Sequence, residues 1–329
     1  YVDSTKGWVN VQNAEDTETG LIASFVAGSG GTESTVCSDY KVHVFTGPGT
    51  FTITNAGNAL GSDKVDYLVL AGGGGGGHWY GAGGGAGGYR FSDGTSSGCY
   101  SAGPSPLGAS GLPVCAQAYP ITVGSGGAGG VFNPVARGTS GGTSSFSSIS
   151  SAGGGSGGGN SSGSYPTYYP GGPGGSGGGA KANSNLTGTV GVGNTPPVSP
   201  PQGNSAGSSN ATPENNAGGG GAGGASNPAP TDTPNTGGYG GVGLTSSITG
   251  SPVARGGGGS GNGSASPHGN ANPTGYPFGG GRSNQNNTPT SSGQAETGGG
   301  GAGGFLCAPN SSNAGNGGSG IVIIRYKFQ

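Results

Sequence analysis

The pattern of apolar and polar positions first indicates short β-strands near the start of the chain. Residues 41–45 (Lys-Val-His-Val-Phe) and 51–54 (Phe-Thr-Ile-Thr) alternate with a period of two, which places successive side chains on opposite faces of a strand. The sequence Gly-Pro-Gly at 47–49 stands between them and is a strong turn signal. We therefore expect a small β-rich domain over residues 1–71.

Two longer apolar runs lie far apart in the sequence. Residues 65–71 are apolar on both faces apart from Asp66, which is typical of a central strand, and residues 321–328 begin with Ile-Val-Ile-Ile. The chain leaves the first run for a glycine-rich region and returns at the second. The simplest arrangement pairs the two runs antiparallel, so that strand 321–328 closes the N-terminal β domain.

The region between these runs, residues 72–320, departs from the composition of an ordinary core. The chain has 87 Gly and 23 Pro among 329 residues, and such an aperiodic excess is usually a sign of disorder. The net charge of only −2 opposes that interpretation, because little self-repulsion keeps the chain expanded. An extended threefold helix leaves its backbone donors and acceptors pointing outwards. Without Cβ atoms, such helices can pack side by side and bond to one another.

Repetition supports this arrangement. Gly-Gly-Gly-Ala-Gly-Gly occurs at 83–88, 219–224 and 299–304, and polar inserts separate it from related clusters. Collagen is excluded because glycine does not recur at every third position. The fold class predicted is thus mostly β and irregular: the N-terminal β domain plus a bundle of polyglycine-II-like helices over 72–320, joined by polar loops.

The charge and hydropathy of the chain argue against some classes of binding partner. The chain contains no basic cluster, which argues against nucleic acid and anionic membrane surfaces as partners. No apolar run reaches the length needed to cross a bilayer, so we expect no membrane insertion. The chain starts at Tyr1 and contains no Met, and we expect it to be a processed or trimmed part of a longer product.

Several segments in a fixed order carry a resemblance to a known family. They are VDYLVLAGGGGGG at 65–77, YPITVGSGGAGG at 119–130, SSFSSISSAGGGSGGG at 144–159, GLTSSITGSPVARGGGG at 243–259 and GGSGIVIIRY at 317–326. Together they resemble the glycine-rich domain of phage tail-fibre and virion structural proteins. The opening segments, YVDSTKGWVNVQ at 1–12 and DYKVHVFTGPGTFTITNAG at 39–57, are similar to structural proteins of large cyanobacterial phages.

The resemblance implies a location and partners. It implies a virion-surface, extracellular protein that contacts other tail-fibre or capsid proteins. A homo-oligomer is a further possibility for this chain. Its polyglycine-II adhesins display variable loops that bind a host-surface glycan or outer-membrane protein. A purely structural role, as fibre shaft, capsid fibre or decoration protein without receptor binding, is the alternative. The resemblance supplies no catalytic residue.

Several motifs resemble those of enzymes, and we attribute them to the high glycine and serine content of the chain. The strand at 65–71 followed by Gly72–Gly77 imitates a dinucleotide-binding fingerprint, but no helical pattern follows to hold a pyrophosphate. Gly-x-Ser-x-Gly occurs repeatedly, as expected by chance in a chain rich in glycine and serine, and only three histidines are available for a triad. We expect no enzyme, no cofactor and no metal site.

Aromatic residues beside the glycine clusters are the candidate binding residues, because flat amphipathic rings give large contact areas and stack on sugar rings. The alternative is that these rings fill gaps in the bundle or between protomers. The candidates are His78, Trp79, Tyr80, Tyr165, Tyr168, Tyr169, Tyr239, Tyr276 and Phe278.

The four cysteines allow three disulfide connectivities. Cys99 and Cys115 bracket one Gly/Pro/Ser-rich loop and are the candidate pair. Free thiols are the alternative, because phages assemble in a reducing cytoplasm.

Overall fold

A computed structural model describes residues 22–98, 100–103, 108–131, 136–160, 168–181, 188–209, 215–228, 237–263, 278–283, 290–305 and 313–329. Within these ranges the protein is mostly β and contains no α-helix, and so no helix that could cross a membrane. The strands are β1 (Val26–Ser29), β2 (Thr32–Val36), β3 (Tyr40–Phe45), β4 (Gly49–Ala56), β5 (Lys64–Leu70), β6 (Tyr89–Phe91), β7 (Leu112–Pro113), β8 (Ala118–Thr122), β9 (Ser144–Phe146), β10 (Ile149–Ser151), β11 (Gly159–Asn160), β12 (Tyr168–Tyr169), β13 (Leu244–Ser246), β14 (Val253–Arg255) and β15 (Ile321–Lys327).

The largest sheet joins the two ends of the sequence. Its order is β2-β3-β15-β5-β6, with β7 also pairing with β5. β15 lies antiparallel to β5, with Ile323 opposite Leu68, and antiparallel to β3 on its other side. The predicted pairing of residues 65–71 with residues 321–326 is therefore confirmed. Both strands are buried on both faces, as their continuous apolar runs indicated.

A second sheet has the order β1-β4-β8-β9-β10. The strands β3 and β4 do flank the turn at 47–49, but they belong to different sheets, so the turn carries the chain from one sheet to the other. The aromatic side chains of Phe51, Phe146 and Tyr326 meet in the core between the two sheets. Both sheets include strands from beyond residue 71.

The other face of the large sheet has a core of its own. Leu68, Leu70 and Ile323 pack there with Tyr89 and with Leu244 from the hairpin of β13 and β14. The tyrosine is the residue at which a glycine-rich segment re-enters the sheet. This face therefore contacts the glycine-rich part of the chain.

Backbone hydrogen bonds connect the glycine-rich segments to one another with a period of three. Along residues 72–77, successive N–H groups donate to 139–142, 315–318 and 82–85 in turn, at N···O distances of 2.9–3.0 Å. Residues i and i+3 thus donate to the same neighbouring segment, and the acceptor moves back by three residues. Each of these three neighbours therefore runs antiparallel to residues 72–77.

Residues 81–88 lie at the centre of this network. Their N–H groups donate to 298–304, 152–158 and 217–220 at N···O distances of 2.7–3.0 Å. Their carbonyl groups accept from three further neighbours, at 71–77, 176–179 and Gly259. Six segments thus surround the central one. We call the whole network the glycine lattice; it comprises 71–77, 81–88, 124–130, 138–142, 152–158, 171–181, 188–194, 202–207, 215–222, 237–243, 256–262, 278–282, 291–294, 298–304 and 313–320.

The glycine lattice has two different ends. Residues 71–77 run away from β5, and segments 124–130, 153–158 and 298–304 run parallel to them, because the N–H groups of Gly127, Gly157 and Gly301 bond to residues 73–75. All four segments therefore finish at the same end, far from the two large sheets. We call this end the tip. The opposite end, where β6 and β15 begin, is the sheet end.

Candidate functional site

The tip is built around the turn that joins the first two lattice segments. Gly77 donates its N–H to the carbonyl of Ala82, which closes the reversal. Trp79 and Tyr80 have φ angles of 54° and 48°, a left-handed conformation that residues with a Cβ rarely adopt. A turn this short leaves little freedom in backbone angles, so the surrounding contacts must hold both residues in place.

Lys181 supplies those contacts. Its Nζ donates hydrogen bonds to the carbonyl oxygens of Trp79 and Tyr80 at 2.9 and 2.8 Å, and the side chain is only 5% exposed. Nζ also lies 5.9 Å from the ring centroid of Tyr80. The lysine ends segment 171–181 at the tip, so the direction of that segment places the ammonium group against the turn. Its charge is thereby used to hold backbone carbonyls.

His78 is the first residue of the turn and is 1% exposed. Among the described residues, neither ring nitrogen has a hydrogen-bond partner. The backbone at Gly130 and Gly159 packs against the residue, so closely that a Cβ added to Gly159 would lie 3.3 Å from His78 Nδ1. Burial lowers the pKa of this imidazole, and the positive charge of Lys181 lowers the pKa further.

The rings at the tip form a partly exposed aromatic group. Trp79 and Tyr80 are half-buried, and Phe305 is 3% exposed. The rings of Tyr80 and Phe305 meet edge to face, with their centroids 5.5 Å apart. Phe305 reaches the tip because the preceding residue closes the lattice there, where Gly81 donates to the carbonyl of Gly304. One face of this group is packed and the other is accessible.

The remaining predicted binding residues are distributed over the molecule. The backbone of Tyr168 and Tyr169 pairs with β11 near the tip, and Tyr239 is half-buried on the side of the lattice. Phe278 lies towards the sheet end, where its carbonyl accepts from Gly257. Tyr165 and Tyr276 lie outside the described residues. The structure therefore places the backbone of Tyr168 and Tyr169 next to the group formed by His78, Trp79 and Tyr80. Tyr239 and Phe278 lie elsewhere on the lattice.

The predicted disulfide remains a prediction, because Cys99 lies outside the described residues. Its proposed partner Cys115 is exposed. Across the described part of the chain, no three His, Cys, Asp or Glu side chains are grouped so that they could hold a metal ion.

A cleft of about 460 Å³ opens at the opposite end of the molecule from the tip. Phe25, Phe328 and Lys41 are among the residues that line it. Tyr326, which also lines the cleft, belongs to a hydrogen-bonded group in which His43 Nδ1 lies 2.8 Å from the carbonyl oxygen of Gly30 and His43 Nε2 lies 3.0 Å from the hydroxyl of Tyr326. Since a carbonyl can only accept, Nδ1 carries the proton. The Tyr326 hydroxyl lies 3.2 Å from the carbonyl oxygen of Gly28 as well, and its single proton is available to that oxygen or to Nε2. This histidine has a structural role.

Sequence reasoning missed Lys181 and Phe305. The signal for the lysine was weak but present: the chain has only 10 Lys and Arg residues, and only Ala180 separates this one from a glycine cluster. Phe305 occupies the position after Gly-Gly-Gly-Ala-Gly-Gly that Tyr89 fills in the first copy of the repeat. The repeat alone does not indicate which copy ends at the tip.

Two β-sheets joined to a hydrogen-bonded glycine lattice define a glycine-rich, mostly β protein. The family model described as "Glycine-rich domain" matches residues 45–327, and the chain therefore belongs to the glycine-rich domain family. No curated protein matches the chain.

Proposed function

We propose that this chain is a non-enzymatic virion-surface protein, of the kind found in phage tail fibres, that binds a host-surface glycan or outer-membrane protein. In this proposal the sheet end attaches to other virion proteins and the tip faces the host. The observation that carries the proposal is the polarity of the molecule. The turn at 78–80 and the lattice segments that lead to it end together at the tip, away from the two large sheets.

A division between a stiff scaffold and a display surface is common among binding proteins. The half-buried rings of Trp79 and Tyr80 offer flat contact area on a backbone that Lys181 already holds. Because two side-chain torsions suffice to place such rings, little conformational entropy is lost when they bind. This arrangement supports the tip as the receptor-binding surface.

We also propose that the lattice segments are polyglycine-II-like helices. Support comes from the period of three in their hydrogen bonds and from the six neighbours around residues 81–88. A threefold helix without internal hydrogen bonds points successive donors about 120° apart, which produces this pattern. Backbone chemical shifts of the glycine segments test the proposal, since α-helical or sheet values along 81–88 would contradict it.

The binding proposal is tested by removing one ring at a time. Labelled protein is incubated with a panel of bacterial strains, and bound fluorescence is compared between Trp79→Ala, Tyr80→Ala and the unsubstituted chain. Loss of an aromatic anchor commonly costs about 2 kcal/mol or more of binding, close to a thirtyfold loss of affinity. Leu60→Ala is the control, because Leu60 is 59% exposed and lies away from the tip.

A purely structural role is the second candidate, and the burial of Phe305 against Tyr80 favours it. If the tip rings pack against neighbouring chains, Trp79→Ala lowers assembly or the thermal midpoint and not cell binding. If Trp79→Ala and Tyr80→Ala both leave cell binding and the thermal midpoint unchanged, the tip rings neither bind a receptor nor pack against neighbouring chains.

A further inference from the structure

The two buried histidines of the described chain differ in one respect. His43 is 0% exposed and both of its ring nitrogens have hydrogen-bond partners. His78 is 1% exposed, and within the described part of the chain neither of its nitrogens has one. A buried polar group without a partner costs stability, and native proteins contain few of them. The tip therefore contains a group that the fold buries without compensation.

We propose that His78 is an acid-sensitive latch of the tip: while its ring is neutral and buried the turn at 78–80 is closed, and protonation of the ring opens that turn. A protonated imidazole has two N–H donors and a positive charge. Neither donor would find an acceptor in the present packing. The charge would also lie close to Lys181, whose ammonium group holds the two carbonyls of the turn.

The groups that face His78 favour the neutral ring over the protonated ring. From segment 171–181 the neighbour is the cation Lys181, which disfavours a second positive charge. From segments 124–130 and 153–158 the neighbours are backbone at Gly130 and at Gly159, just beyond the second segment. The other titratable side chain of the turn is Tyr80. Burial and the lysine both lower the pKa of His78, so the neutral ring is the form that fits.

Opening of the turn is the response that the geometry favours. Trp79 and Tyr80 are held in a left-handed backbone that Lys181 stabilises through their carbonyl groups. Repulsion between the two cations would weaken those hydrogen bonds, and opening would release the unfavourable backbone angles. The hydrogen bonds of the lattice behind the turn are made by backbone groups, which acid does not titrate. The change would therefore be confined to the tip.

The sign follows from proton linkage. The solvated imidazole of an open turn has a pKa of about 6.5, whereas the pKa of the buried ring is lowered. The open form thus binds the proton more tightly, and closure is fully favoured above about pH 6.5. Between that value and the lowered pKa, the equilibrium constant for opening rises about tenfold for each pH unit.

Fluorescence of Trp79 reports the state of the turn directly. Trp8 is the second of the two tryptophans, so the full chain carrying Trp8→Phe leaves Trp79 as the single reporter. We expect its emission to shift to longer wavelength as the pH falls from 8 to 4, with circular dichroism of the sheets unchanged. In the same background, His78→Phe, which keeps a buried ring without a titrating group, should make the emission independent of pH.

A flat titration in the Trp8→Phe chain would overturn the proposal, as would a shift that persists in His78→Phe or that coincides with loss of the sheet signal. If the phenylalanine variant does not fold, nitrogen chemical shifts of the imidazole in the unsubstituted chain decide. Protonation of His78 at the pH of the Trp79 shift supports the latch. A ring that stays neutral through that shift contradicts it. No ligand enters the measurement, so its outcome is independent of the binding proposal.

Discussion

The two-sheet core and the glycine lattice are stabilised in opposite ways. In the core, side chains fill space: Phe51 and Phe146 are both 0% exposed, and their rings meet edge to face at 6.2 Å. In the lattice, the absence of side chains allows backbones to touch. A Cβ placed on Gly75 would lie 1.9 Å from the carbonyl oxygen of Ala128, far inside van der Waals contact.

This difference shows that the core and the lattice tolerate different kinds of substitution. A core position selects a large apolar side chain because burying apolar area stabilises the fold. A glycine position inside the lattice selects against a side chain, because a neighbouring carbonyl occupies the space where a Cβ would stand. Glycine loses more backbone entropy on folding than other residues, and the lattice offsets this cost with hydrogen bonds to several neighbours.

Within the lattice, the outer segments differ from the inner ones in which positions can carry a side chain. Residues 81–88 are buried throughout, and their side chains are no larger than a methyl group. On the outer segment 313–320, Asn313 and Asn316 are exposed and Ser319 is half-buried, while the residues between them are mostly buried. One residue in three faces solvent there, so polar side chains recur with the period of the hydrogen bonds. Tolerance to substitution should follow that period.

The largest effect is expected from removing atoms in the core. Phe51→Ala deletes a fully buried ring that contacts other aromatic side chains. Truncations of this kind cost about 3–5 kcal/mol of unfolding free energy. Urea denaturation measures the change, and Leu60→Ala, at a position 59% exposed, should stay within about 0.5 kcal/mol of the unsubstituted chain. Equal losses in both variants would contradict this account of the core.

The next effect is expected from adding atoms to the lattice. Gly75→Ala introduces one methyl group against the carbonyl of Ala128, and overpacking a rigid interior costs about 1–3 kcal/mol or more. The matched control is Gly47→Ala, because no atom lies within 4 Å of a Cβ built on Gly47. The thermal midpoint should fall for the first variant and hold for the second. A stable Gly75→Ala chain would show that the lattice yields more easily than its contacts indicate.

The sequence predicted more of the two-sheet core than of the glycine lattice. The pairing of β5 with β15 followed from two apolar runs, because side chains carry the signal that decides burial. The order of segments around residues 81–88 could not be predicted, since glycines have no side chain to distinguish one neighbour from another. At the tip, the pattern identified Trp79 and Tyr80 as binding candidates, but not that Lys181 holds their carbonyls. That contact joins residues about a hundred positions apart.

A smaller effect is expected where the two regions meet. Ser144 is fully buried; its Oγ donates to the carbonyl of Leu70 at 2.8 Å and accepts from the N–H of Gly124 at 2.9 Å. Ser144→Ala leaves one sheet acceptor and one lattice donor without this partner, at a cost of about 1–3 kcal/mol. Hydrogen exchange should accelerate at Gly124. Ser148→Ala, at an exposed position of the turn between β9 and β10, is the control and should leave that rate unchanged.

The smallest effect concerns the ion pair between Glu33 and Lys41, which are diagonal neighbours on β2 and β3. The hydrogen bond from Lys41 lowers the pKa of Glu33, so the pair stabilises the fold above the ordinary carboxyl pKa of about 4.3 and stops doing so as the pH falls through the lowered value. Because the two side chains are 42% and 28% exposed, water and salt screen the attraction. Glu33→Gln should therefore reduce the free energy of unfolding at pH 7 by about 0.5 kcal/mol or less, and by less still at pH 3. A double-mutant cycle with Lys41→Met measures this coupling, and a coupling that grows at pH 3 would contradict the sign.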